Sequence, residues 1–261
     1  MKKSALVFSI VNFLLAAATI TINILANALP LNGKNTGVLS DQYPNLFVPT
    51  GLTFSIWGLI FVLFIVFVGF HLYESITHPD AAQKHIPIQS GFALSCVFNM
   101  AWIFAWHYEK VVLSVIIMLA LLLTLLFTFV QQQKIKAHGQ ISLLSTIPID
   151  IYTGWITVAT IANITALLVH LGWNGWGIAA DVWTNLLIAV GTLIGITVLI
   201  RYQAIAYTLV IVWACLGIII KRSSTEPIYN SIIITSWVAI AILIIMILQT
   251  IFVLTRKKTA K

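Results

Sequence analysis

The chain has 261 residues, 60% of them hydrophobic and 8% charged, against about a quarter charged in an ordinary soluble domain. So few charges cannot cover a globular surface, and a mean hydropathy of +1.03, spread over many long apolar runs, excludes a soluble enzyme on a single anchor. The net charge of +7 gathers at the ends of these runs and does not mark a nucleic-acid partner; the bilayer is the expected partner.

A hydrocarbon core about 30 Å thick takes about 20 residues of helix. Cutting the chain at that length and at its polar punctuation predicts eight spans, at 4–26, 51–73, 88–107, 111–131, 144–170, 178–200, 203–220 and 229–255. The fold class is therefore all-α, a polytopic membrane helical bundle. The first span, opening on Met1-Lys2-Lys3 and followed by Ala26-Asn27-Ala28, imitates a secretory signal. Its apolar stretch is longer than the about 7–15 residues of such signals, and we read it as a retained helix. The long connection 27–50 holds Pro30, Pro44 and Pro49 with the turn pair Asn32-Gly33; its composition allows either a structured lid or a plain linker. Spans six and seven are parted only by Arg201 and Tyr202. One helix of that length would be twice a bilayer, so a tight hairpin is expected. Of the 14 basic residues, Lys34, Lys110, Lys221 and Arg222 fall on one side and the other ten on the side of the termini. That excess predicts a cytoplasmic N-terminus and C-terminus in a plasma or inner membrane. Lys221 and Arg222 are the discordant pair.

Few residues offer reaction chemistry. Glu74, Asp80, Glu109 and Glu226 fall in connections, and Asp150 and Asp181 near span ends, which gives little support to ion coupling through buried carboxylates. His71, His78, His85, His107, His138 and His170 also lie near ends or in connections and do not form a mid-span pair for haem; axial ligation by His107 or His170 stands as an alternative to plain interfacial histidines. Cys96 and Cys215 sit inside apolar runs without metal or disulfide spacing. No catalytic residue and no metal site is predicted.

Tryptophans on helical faces stand out instead. Asn99, Trp102 and Trp106 share one face of the third span, and Tyr152, Trp155, Ala159 and Asn163 one face of the fifth. Trp57 opens the second apolar run. If these faces converge they line an aromatic pocket with two amides, suited to a flat, small apolar ligand. Trp173, Trp176 and Trp183 read as an interfacial belt, and the amides have a plain alternative as interhelical hydrogen bonds.

These residues resemble the signature of the TspO/MBR family, the tryptophan-rich sensory proteins. That family carries P-x-W-x-P-P before a second helix with W-G-x-L-Y; here Pro44, Pro49 and Trp57-Gly58-Leu59-Ile60-Phe61 hold the corresponding places. Its third-helix N-x-x-W resembles Asn99 to Trp102, and its fifth-helix P-Y-x-x-W with a later Asn resembles Tyr152, Trp155 and Asn163, with Pro148 slightly early. Leu46 or Phe47 stands for the loop Trp, Val48 for a proline, Phe61 for the second-helix Tyr and Ser95 for a Gln. The resemblance covers residues 1–170 and implies a five-helix bundle that binds a porphyrin, protoporphyrin IX or haem, for sensing or transport. It implies a pocket of Trp57, Asn99, Trp102, Trp106, Tyr152, Trp155, Ala159 and Asn163 under a lid containing Pro44, Phe47 and Pro49. Residues 171–261 would be a three-helix extension, whose Gly191-x-x-x-Gly195 marks a close helix contact within the chain or in a homodimer. A permease and a porphyrin-degrading enzyme remain alternatives.

Overall fold

The computed structural model describes residues 2–29, 31–137, 139 and 141–259; Pro30, His138 and the terminal Lys261 lie outside the described residues. Its α-helices are α1 (Lys2–Ala28), α2 (Thr36–Asp41), α3 (Ile56–Thr77), α4 (Pro79–Ala82), α5 (Ile86–His107), α6 (Val111–Ala137), α7 (Leu143–His170), α8 (Ala180–Tyr202), α9 (Ile205–Ser223) and α10 (Asn230–Thr259). Eight helical stretches among the described residues are long and apolar enough to cross a membrane. The protein is thus a multi-pass all-α membrane protein, with the spans where the apolar runs placed them. Helices overrun the apolar windows at several ends, because intrahelical hydrogen bonding does not stop where the lipid does. α6 continues to Ala137, through Gln131 to Gln133.

Five of the spans close a ring in the order α1, α3, α7, α6, α5 and back to α1, while α8, α9 and α10 pack on one another. The two groups meet along α7 and α9. Within the hydrocarbon layer association depends on close packing and polar contacts, so small residues set where helices approach. Gly154 of α7 faces the α9 backbone: a Cβ there would lie 2.9 Å from the Tyr207 carbonyl oxygen. One turn further along α7, Thr157 and Tyr207 share a 2.8 Å hydroxyl contact. At the other end of α9, Gly217 is pressed against Pro49 and Thr53, and its carbonyl accepts from the Thr50 N–H at 3.1 Å. The Trp213 indole adds a bond to the Thr53 carbonyl at 2.9 Å. The C-terminal helices are therefore fastened both to the ring and to the segment leading into α3.

The predicted hairpin between spans six and seven is two residues long. Gln203 takes the left-handed conformation (φ 54°) that ends α8, and α9 starts at Ile205. In the Gly191-x-x-x-Gly195 pair, Gly195 packs against Ile211 and Leu243 of this same chain, while a side chain at Gly191 would meet open space.

Gly154→Ala places a methyl group against a backbone oxygen that cannot rotate away. It should cost about 1–3 kcal/mol relative to Gly191→Ala, read as a lower thermal midpoint in detergent. Equal midpoints would contradict the close approach of α7 and α9.

Candidate functional site

The connection 27–50 is a packed structure and not a free linker. Leu39, Phe47 and Val48 are buried, and α2 is capped by Asn35, whose side chain accepts from the Val38 N–H at 2.9 Å. His107, at the end of α5, pins it through both ring nitrogens: Nε2 lies 3.1 Å from Thr36 Oγ1 and Nδ1 lies 3.3 Å from the Leu31 carbonyl. Lys34 and Glu109 close the same corner with a 2.6 Å ion pair.

Beneath it the predicted aromatic faces do converge. Trp57, Trp102, Trp106, Trp155, Ala159 and Asn163 line one pocket, together with Thr36, Ser40 and Pro49 from above. Trp102 and Trp106 stack with planes 13° apart, and Trp57 meets Trp155 edge to face at 6.5 Å. The indole N–H of Trp102 donates to Asn163 Oδ1 at 3.2 Å, and the Asn163 amide donates to Ser114 at 3.1 Å. Trp155 is buried and its N–H has no partner, which leaves one donor for a guest. The space between these rings is about 40 Å³, room for a few waters and far below the about 300–1,000 Å³ of a drug-sized site.

Asn99 and Tyr152 stand apart from that pocket. Asn23 of α1 donates to Asn99 Oδ1 at 2.8 Å, and Asn99 donates to the Tyr152 hydroxyl at 3.1 Å. Both Asn99 and Tyr152 are fully buried, so this chain of bonds ties α1, α5 and α7 together, the plain alternative weighed for these amides.

A second and larger cavity, of about 850 Å³, opens between the lid segment and the tryptophans read from the sequence as a belt. Its walls are the strap 40–48, the end of α7 from Ile161 to Val169, Trp173 and the start of α8 with Trp183, and the segment after α9 with Tyr229. Pro44 and Phe47 line this cavity, whereas Pro49 lines the tryptophan pocket. Ser40 touches both, so the strap is the partition between them. The lining is mostly apolar, with Lys221 and Arg222 contributing positive charge. Lys221 is paired with Asp41 at 2.7 Å. Arg222 is buried to 6% exposure and its Nε has no hydrogen-bond partner. An apolar cavity with a buried guanidinium can take a ligand with an apolar body and a carboxylate or similar anion. Tyr43 also lines it; burial first, and then the Glu109 carboxylate, raise its phenol above the usual range, keeping it a neutral donor.

Trp173, Trp183, Arg222 and Tyr229 were not singled out as site residues from the sequence. The usable signal was the charge pattern, since Lys221 and Arg222 broke the expected sidedness.

The family model described as TSPO-like protein matches residues 9–249, a stretch reaching from α1 into α10. No curated protein and no solved structure matches the chain.

The two indoles of the small pocket provide a matched pair for measurement. Trp102→Phe loses a hydrogen bond and should lower stability by about 0.6–2 kcal/mol more than Trp155→Phe, whose N–H is bonded to nothing in the protein. Equal losses in thermal midpoint would show that the Trp102 to Asn163 bond contributes nothing.

Proposed function

The chain belongs to the TSPO-like protein family, and from that premise we propose that it binds an amphipathic ligand of the porphyrin class, protoporphyrin IX or haem, for sensing or transport. The observation that carries this reading is the large cavity with Arg222 in its wall. At about 850 Å³ it falls inside the range of sites for flat organic ligands, and its apolar surface suits a macrocycle while the guanidinium suits a carboxylate. The ligand enters from the face opposite the termini, which the distribution of basic residues makes the non-cytoplasmic side of a plasma or inner membrane.

The residues expected from the resemblance take a second role in this account. Trp57, Trp102, Trp106, Trp155, Ala159 and Asn163 stand behind the strap 40–48. Displacing the strap would join their pocket to the outer cavity and offer the Trp155 N–H to the guest. Sensing requires only that the ligand reposition the strap; transport requires that it pass. The segment 171–261 is then part of the site and not an accessory, because α8 and the end of α9 supply one wall.

Tryptophan fluorescence titrated with protoporphyrin IX in detergent checks the proposal, since Trp173 and Trp183 border the cavity. Saturable quenching is expected, and Arg222→Gln should weaken it about tenfold, equivalent to about 1.4 kcal/mol. Linear quenching that no substitution alters would overturn it.

A further inference from the structure

At the face of the bundle that carries both termini, α3, α5 and α7 meet around three potential ligand atoms. His71 and Glu74 lie three residues apart near the end of α3, so their side chains share a face. The chain then turns through α4 and a short 3-10 helix whose last residue is His85, bringing its ring back to within 5.4 Å of the His71 ring. Glu74 Oε2 lies 2.6 Å from His85 Nδ1 and 3.7 Å from His71 Nδ1. All three atoms fall within 4.8 Å of one another.

The surroundings hold these groups as a ligand set is held. His71 is fully buried and its Nε2 lies 2.9 Å from Ser145 Oγ at the start of α7. That contact fixes the ring by the nitrogen that does not face the carboxylate, the usual arrangement for a metal-bound imidazole. Its Nδ1 is a buried nitrogen with no hydrogen-bond partner. Phe67 packs edge to face on the same ring at 4.5 Å, and Phe70 does so at 5.1 Å. The Glu74 side chain retains 13% exposure.

The geometry points to a binding site for one divalent transition ion of the zinc class, held by His71 Nδ1, Glu74 Oε2 and His85 Nδ1. Two nitrogens and one carboxylate oxygen are the donors such ions take, whereas calcium and magnesium need more oxygens than this cluster has. Bonds of about 2.0–2.2 Å in a tetrahedral arrangement require the carboxylate to move away from His85 and the two imidazoles to draw in around the ion. Water completes the fourth position from the side where Glu74 is exposed. Bound there, the ion ties the end of α3 to the turn before α5 and, through Ser145, to α7. The site involves none of the residues of the outer cavity, so it stands or falls independently of the ligand proposed for that cavity.

Tag-free protein, stripped with chelator and titrated with cobalt(II), tests this. We expect visible ligand-field bands that saturate at one ion per chain, bleach on adding zinc, and vanish in His85→Gln and Glu74→Gln while their circular dichroism is retained. X-ray absorption of the zinc-loaded wild type is independent of how the variants fold and should show two imidazoles per zinc. Cobalt that fails to saturate, bands unchanged in both variants, or a zinc shell without two imidazoles would each overturn the assignment.

Discussion

The close approach of α7 to α9 is the contact on which the rest of the molecule depends. Inside a bilayer, burying one apolar surface against another gains little over leaving both in lipid, so two helical groups stay together only where backbones come near enough for dense packing and polar groups find partners. Gly154 allows that approach and the Thr157 to Tyr207 contact holds it, while Gly217 and the Trp213 to Thr53 bond fasten α9 to the segment before α3. α7 consequently serves two structures. One face completes the five-helix ring and the other bears the C-terminal helices, and the outer cavity exists because the two groups are held side by side without closing at that end.

Polar side chains within the spans follow the same economy of partners. The Asn23, Asn99 and Tyr152 chain joins α1, α5 and α7, the Trp102, Asn163 and Ser114 set joins α5, α7 and α6, and threonines such as Thr153 return their hydroxyls to the helix carbonyl four residues back, here at 2.6 Å. Against that background of satisfied groups, the exceptions gain meaning. Of the nine buried side-chain atoms without a hydrogen-bond partner among the described residues, three are Trp155 Nε1, Arg222 Nε and His71 Nδ1. They fall respectively at the small aromatic pocket, the large cavity and the three-residue cluster at the terminal face.

Much of the fold was legible in the sequence because apolar run length is a nearly direct record of bilayer thickness. That spans six and seven form a hairpin was legible from length, but its turn lies at Gln203 and Ala204 and not at Arg201 and Tyr202, which stay in α8, because Gln203 takes the left-handed conformation without a glycine signal. The aromatic faces were legible from their spacing, and six of the eight residues expected there do share one pocket. That the pocket is nearly filled by its own rings was not legible, since helix rotation decides it. Nor was the large cavity, whose walls come from segments near residues 44, 165, 183 and 222; only the misplaced charges of Lys221 and Arg222 hinted at it. Glu74, read as part of a connection, belongs to the last turns of α3. Its neighbour His85 is brought to it by a turn that periodicity does not register.

In the resting form the proposed ligand occupies the space between the strap and the C-terminal helices, outside the tryptophan pocket. Site-directed thiol labelling addresses it directly, because both native cysteines are buried. Single cysteines would be introduced by Thr165→Cys in the large cavity and Ala159→Cys in the small pocket, and maleimide labelling rates compared with and without protoporphyrin IX. Strong protection is expected at position 165 and none at 159. Protection at 159 with position 165 left fully reactive would contradict it.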